Sequence, residues 1–397
     1  MTSEFVYLDY AATAPLCAEA AQAMEPFMVS GPANLVCNGN ANSLYGVGRA
    51  AFDWLEASRK KFAFTIGARR ADEVIFTSGA TEADNAALFG LVAGIKEKLR
   101  LAGKGDEPIH LITTAIEHDA VLAPARRLEA EGVQVTYLNP NRDGFIEVRA
   151  LEEAITPYTH LVSVQMANSE VGAIQPIAEL ARVAHAAGAL FHTDAVQAFG
   201  KTPLNMQELD VDAASFSAHK IGGPKGVGAL YLRTRTPYLP FMLGGGQEAG
   251  RRSGTQNVAG VVGFAAAAEA AIGRLEEESM RLRRLRDKLY AALACFPAIQ
   301  ATVEVEEGSF DYLPNIVHVL VDNLESETLV LRFDKLGFCV AGGSACSSHS
   351  LEPSHVLRAM GIAGDEAFNA LRISMGTYTT EANIDALVAA FHEVLAW

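Results

Sequence analysis

Residues 215–228 read SFSAHKIGGPKGVG. An apolar-leaning strand over 211–216 runs into Ser217, Ala218, His219 and Lys220. A glycine-rich turn with one proline follows, and a second strand over 227–232 leaves it. A lysine placed where a strand gives way to such a turn can be held against a ligand instead of reaching into solvent. Lysine also forms Schiff bases once its ammonium is partly desolvated and loses its proton. On this stretch alone a plain hairpin with solvated lysines fits as well, because Gly-Pro turns flanked by lysine are common. The neighbouring segments decide between the two.

Working outward, short apolar runs at 73–76 (EVIF), 110–113 (HLIT), 134–138, 160–165 (HLVSVQ) and 189–192 (ALFH) read as strands. Amphipathic stretches at 81–99, 120–130, 150–154 and 176–187 read as the helices between them. Fully apolar strands separated by helices predict an α/β fold with a mainly parallel sheet covered on both faces. Ligands of such sheets gather at the carboxyl ends of the strands. One long helical stretch is expected over 258–294, turning charged after Arg274. From Tyr312 the pattern shifts to LPNIVHVLV, a helix over 326–336, FCVAGG, helices near 353–360 and 381–396, and LRISMG, which together predict a smaller α+β domain.

The chain has 397 residues, half of them hydrophobic, and a formal net charge of −15. That is long enough for a large and a small domain, and the charge argues against nucleic acid or an anionic membrane as partner. The first residues, MTSEFVYLDYAATAP, carry no basic run ahead of an apolar one, so no signal peptide is expected. The most apolar run, 258–272, is short of a membrane span. Five scattered cysteines and no CxxC pair predict neither a disulfide framework nor a metal site, and a cytoplasmic protein with reduced thiols fits best.

Functional side chains collect where the strands end. After VIF comes Thr77-Ser78-Gly79-Ala80-Thr81-Glu82, small residues opening a helix, where N–H groups and the helix dipole make an anion site. A threonine N-cap with Glu82 in the first turn is the plain alternative. After HLITT comes His118, able to stack on a flat ring or to serve a structural role. After ALFHT comes Asp194, then Gln197. A carboxylate closing a buried strand is costly unless a cation meets it. A protonated pyridine nitrogen is such a cation, and the pairing makes the ring a better electron sink. Phosphate cradle, ring stacker, pyridinium partner and Schiff-base lysine in one sheet point to pyridoxal 5'-phosphate.

The chain resembles the cysteine desulfurases of the class V aminotransferase superfamily over nearly its whole length. YLDYAATAP, SGATEADN, IEHDAV, HTDAVQAFGK, SAHKIGGPKGVGALY, GGGQEAGRRSGTQN, GGSACSSHSLEPSHVLRAMG and LRISMGTYTTEANID carry the resemblance, in family order. It implies the fold type I of pyridoxal-phosphate transferases. A large domain over 16–265 would hold a mainly parallel seven-stranded sheet. A smaller α+β domain from 1–15 and 266–397 would carry a catalytic-cysteine loop. By the same resemblance Lys220 carries the cofactor, Asp194 pairs with its ring nitrogen, Gln197 contacts the ring hydroxyl and His118 stacks on the ring. Ala80, Thr81, Ser217 and His219 hold the phosphate, Asn168 and Arg372 bind substrate, and Thr255 reaches the phosphate of a neighbouring subunit, implying a homodimer. The family shows two adjacent asparagines where this chain has Asn168-Ser169, so a shorter hydroxyl stands at the ring-hydroxyl position.

Cys346, in GGSACSS, is poor in core-forming neighbours and is expected on an exposed loop, whereas Cys339, in GFCVA, reads as inert. Cys17, Cys37 and Cys295 read as structural. The implied reaction moves sulfur from L-cysteine to Cys346, leaving alanine, with Lys220 as proton carrier. The cysteine segment is similar to the long-loop subgroup, which passes sulfur to iron–sulfur scaffold proteins. Aminotransferase, selenocysteine lyase, β-eliminating lyase and a non-catalytic sulfur-relay partner are the alternatives on the same scaffold.

Overall fold

The computed structural model describes residues 5–343, 353–362 and 364–396. Twelve strands can be followed among them. They are β1 (Val6–Tyr7), β2 (Val74–Thr77), β3 (His110–Thr114), β4 (Gln134–Leu138), β5 (Thr159–Ser163), β6 (Leu190–Asp194), β7 (Ala213–Ser217), β8 (Gly228–Leu232), β9 (Ile299–Ala301), β10 (Ile316–Val321), β11 (Phe338–Cys339) and β12 (Ala370–Ser374). Seven form one sheet in the order β2-β8-β7-β6-β5-β3-β4. All run parallel except β8, which pairs antiparallel with β7 and β2.

Alternation along each strand builds the core on both faces of this sheet. Ile75, Leu111, Leu161, Ala213 and Leu230 enter one hydrophobic cluster, with helices Ala80–Leu101 and Asp119–Ala130. Phe76, Ile112, Val162, Ala214 and Ala229, their sequence neighbours, enter the other, with Phe62, Leu180 and Phe264. Phe62 centres that side, its ring 4.5 Å from Phe264 and 5.5 Å from Phe216. Such double burial explains why these strands are apolar throughout and not alternating.

A third cluster lies apart, between the sheet β12-β10-β9 and helices Leu275–Leu293, Ser326–Lys335 and Glu381–Ala396. Leu8 joins it from the far end of the chain, next to β1, which pairs parallel with β11.

The long helix expected over 258–294 is two helices, Val258–Gly273 and Leu275–Leu293, bent by 69°. Gly273 is a weak helix former at the junction. The apolar first helix packs against helices Ala18–Met24 and Gly46–Thr65, while the second opens with Glu276, Glu277 and Glu278, a favourable charge for a new N-terminus. Among the described residues no single helix is long and apolar enough to cross a membrane.

Candidate active site

A cavity of about 490 Å³ opens at the carboxyl ends of β2, β6 and β7. Its geometry starts with the hairpin of the opening stretch. β7 and β8 pair with Ser217 opposite Gly228, and one 3-10 turn, Ala218–Ile221, fills the connection. The turn closes on Gly222 at φ +81°, a left-handed conformation that favours glycine. Lys220 Nζ thereby reaches the N-terminal segment and donates to the carbonyls of Ala11 and Ala12, the latter at 2.9 Å. His219 Nδ1 lies 3.0 Å from Thr13 Oγ1. Burial, then the charges of Lys220, Lys225 and Lys201, push its imidazole down to about 4, so it is neutral at pH 7.

One end of the cavity suits an anion. Ser78, Gly79, Ala80 and Thr81 line it at the start of a 22-residue helix, joined by Ser217 and His219. A side chain on Gly228 would come within 2.5 Å of the Gly79 carbonyl carbon, so β8 can lie against this junction only as glycine. Glu82 fastens the turn. It accepts from the Ser78 N–H at 2.8 Å and holds Arg252 at 2.6 and 3.0 Å. Burial works against its charge, but Arg252 and Ser78 keep the carboxyl below the usual range.

The other end suits a cation. Asp194 closes β6, 8% exposed, and accepts from the Val196 N–H at 2.9 Å. Burial raises its carboxyl, opposed by that N–H, by His118 and by Lys220. Asp84 also lines the cavity, with both carboxylate oxygens buried next to the Ser215 side chain. Burial, then the charge of Asp194, holds Asp84 well above the ordinary range. His192 stands 3.7 Å from Asp84, held neutral by burial at about 3. Asp194, whose charge Lys220 and His118 help to offset, stands with the buried Asp84 where a flat, anionic-tailed ring bearing a protonated nitrogen would fit.

Further walls complete the enclosure. His118 N-caps helix Asp119–Ala130, its Nδ1 accepting from the Ala120 N–H at 3.0 Å, and its ring faces the cavity. The capping bond of this histidine leaves its ring on the cavity wall. Gln197 Nε2 donates to the Ala11 carbonyl at 3.0 Å. Opposite, Arg372 is 1% exposed in β12, with one Nη donating to the Ser169 carbonyl at 3.0 Å and the other to Asp9 at 2.8 Å.

The structure thus gathers Ala80, Thr81, His118, Ser169, Asp194, Gln197, Ser217, His219, Lys220 and Arg372 at one cavity. Asn168 does not line it. Its Oδ1 accepts from the N–H groups of Glu170 and Val171 and its Nδ2 donates to Ile116, so it shapes the turn that presents Ser169. Thr255 is exposed and does not line the cavity. Cys346 lies outside the described residues. The segments flanking it are fastened at the site, with Ala341 bonded to the Arg372 backbone, Ser354 to Glu170 at 2.6 Å and His355 to the Glu117 carbonyl at 2.9 Å.

Among the other thiols, Cys339 is partly buried, and burial followed by Asp334 and Asp9 pushes it up, as suits an inert group. Cys17 caps a helix, whereas Cys295, expected to be structural, is exposed.

Sequence reasoning missed Asp84, Gln165, Lys201 and the Ala11–Thr13 wall. Asp84 left a signal: it shares a helix face with Ala87, Leu88 and Leu91, all buried, where a carboxylate is out of place. The N-terminal wall showed only as the motif YLDYAATAP, without a role, because its partners are over 200 residues away.

A family model described as aminotransferase class-V matches residues 6–387. The chain belongs to this family. Within it, the chain is 41% identical to a cysteine desulfurase IscS of Dictyoglomus turgidum, over 98% of this chain and 94% of the relative. It is 42% identical to a cysteine desulfurase of Cereibacter sphaeroides, over 97% and 94%. Among solved structures, a NifS-like protein superposes with a TM-score of 0.88 at 36% identity, covering 99% of each chain. SspA in complex with cysteine does so with a TM-score of 0.77 at 32% identity, covering 94% and 99%. The seven-stranded, mainly parallel sheet is that of this family's fold.

Proposed function

We propose that the protein is a pyridoxal 5'-phosphate-dependent cysteine desulfurase, converting L-cysteine to L-alanine and passing the sulfur to its own Cys346. The observation that carries this is the convergence of Lys220, Asp194 and Arg372 on one cavity, in a chain 41% identical to a protein of that name. When bound, the cofactor supplies a ring that withdraws the charge left at the substrate's α-carbon. The helix start at Ala80 and Thr81, with Ser217 and His219, holds its phosphate. Asp194 keeps the ring nitrogen protonated, His118 covers the ring face, and Gln197 and Ser169 address the ring hydroxyl.

Lys220 would form the covalent attachment to the cofactor and would carry the substrate's α-proton. Each Arg372 Nη retains a hydrogen beyond its bond to Ser169 or Asp9, enough to grip the substrate carboxylate, with Asn168 shaping the adjacent turn. The Cys346 thiolate takes the substrate sulfur. The carbon–sulfur bond breaks, a sulfur–sulfur bond forms, and cysteine plus thiol become alanine plus persulfide. Ala341 bonds to the backbone of Arg372, and Ser354 and His355 to Glu170 and Glu117, the chain neighbours of Ser169 and His118, which supports that reach.

A division into 16–265 and a smaller unit from 1–15 and 266–397 is supported by the separate cluster of Leu8, Leu285, Phe333 and Phe391. A cytoplasmic homodimer is the assembly we infer. In that assembly Thr255, exposed on this chain, would reach the partner's phosphate. Iron–sulfur assembly is the destination that fits the segment GSACSSHSLEPSHVLRAMG.

The test is incubation with cysteine without reductant, measuring alanine, sulfide and protein mass. One added sulfur should appear on the peptide carrying Cys346. Cys346→Ala should lose alanine and sulfide together while cysteine still perturbs the cofactor spectrum. Sulfur on another cysteine, or a fully active Cys346→Ala protein, would move the assignment to a lyase.

A further inference from the structure

Lys201 is 9% exposed, and among the described residues it has no carboxylate partner. Burial, then the charges of Lys220 and Arg372, push its ammonium down to about 7. A buried lysine without a counter-ion is costly. Nζ donates to the Gln197 carbonyl at 3.0 Å and to Gln197 Oε1 at 3.0 Å. Gln197 Nε2 in turn donates to the Ala11 carbonyl at 3.0 Å, the same carbonyl that receives Lys220.

A primary amide can present either its oxygen or its nitrogen to a neighbour. Lys201 Nζ can donate to Oε1 whether charged or neutral, and the Ala11 carbonyl can only accept from Nε2, so the two together favour one orientation of Gln197. The second Nε2 hydrogen is then available to the cavity that Gln197 lines. Lys201 also lines a smaller cavity of about 200 Å³ that Lys220 borders as well.

We propose that Lys201 is a positioning residue, which locks the Gln197 amide with its nitrogen toward the cofactor's ring oxygen. The inference rests on the reading that Gln197 faces that oxygen. Losing the lock deprives the oxygen of a donor, so the ring binds more weakly and its visible band titrates at higher pH.

The experiment compares Lys201→Met, Gln197→Leu, the double variant and Lys201→Arg, all loaded with pyridoxal 5'-phosphate. The pH midpoint of the visible band and the cofactor dissociation constant are measured beside thermal melting. Lys201→Met and Gln197→Leu should each raise the midpoint and weaken cofactor binding about tenfold, the worth of one buried hydrogen bond. The double variant should be no worse than either alone, because the two residues act in series. Lys201→Arg, which keeps a donor, should stay near wild type, and it carries the test if the methionine variant does not fold. Additive effects, or a Lys201→Met protein with an unshifted midpoint, would overturn the proposal. An unshifted Gln197→Leu protein would remove the Gln197 role and this inference with it. Wild type that binds no pyridoxal phosphate would instead defeat the functional reading itself.

Discussion

The seven-stranded sheet delivers Asp194 from the end of β6, Ser217 from the end of β7 and the Ser78–Thr81 junction after β2. The three-stranded sheet delivers Arg372 alone, from the middle of β12. Parallel strands all finish on one edge, so their last residues face a common space at no cost to the ladder. Antiparallel strands finish on opposite edges, and a functional side chain there has to come from within the ladder. Arg372 pairs with His318 of β10 on one side and bridges Ala341 on the other. Residues at strand ends should therefore be separable from stability, whereas Arg372 should not.

Lys220→Ala is the strongest challenge to that contrast. Turnover should fall to background and the visible absorbance of the bound cofactor should vanish, while the melting temperature of the cofactor-free protein stays within a few degrees of wild type. Retained absorbance with borohydride-stable attachment would break the assignment, and a large loss of cofactor-free stability would break the contrast.

Arg372→Lys probes the other side. The charge survives but the planar fork does not, so one of the bonds to Asp9 and Ser169 goes. KM for cysteine should rise about tenfold and the protein should lose about 2 kcal/mol in urea unfolding. A variant with raised KM and unchanged stability would show that the ladder position carries no structural load.

Glu117 sharpens the comparison at smaller scale. It follows β3, fully buried, with Oε1 accepting from Thr114 Oγ1 at 2.7 Å and the Gln165 N–H at 2.8 Å. Burial raises its carboxyl from 4.5 to about 8, against those two bonds. Between these values the folded protein keeps a proton that the unfolded chain has released, so stability declines as pH rises across the window. Glu117→Gln should remove that decline, leaving the variant ahead by about 2 kcal/mol more at pH 8 than at pH 6. Parallel stability curves for the two proteins would defeat the assignment.

The strands of the large sheet were readable because burial on both faces leaves nothing but apolar residues in them. The hairpin was readable because its turn needs Gly222 and its close approach needs Gly228. Helix Gly46–Thr65 escaped notice, since it opens with two glycines, and Gly48 is there because a side chain would come within 2.3 Å of the Ser43 carbonyl. The break at Gly273 was hidden by continuous helical composition on both sides. In the site, motif position marked the residues that strands present, but it could not tell that Asn168 turns inward while Ser169 faces the cavity. That difference comes from two backbone N–H groups claiming the Asn168 side chain. Lys201 was invisible for a related reason, because its bonding is to another site residue and not to the cavity.

The first wall of the site is also the last to find its place. Leu8 and Val6 bond to the backbone of residues 337–339, and the Ala11 N–H to Ser374, 363 positions along the chain. During synthesis the N-terminal strap leaves the ribosome first and waits for nearly the entire polypeptide before its partners exist. Closing so long a loop is slow, and the carbonyls of Ala11 and Ala12 that steady Lys220 fall into line only then. A nascent chain that already holds the complete large sheet would still lack this strap in position, so secure capture of the cofactor becomes a signature of a finished molecule.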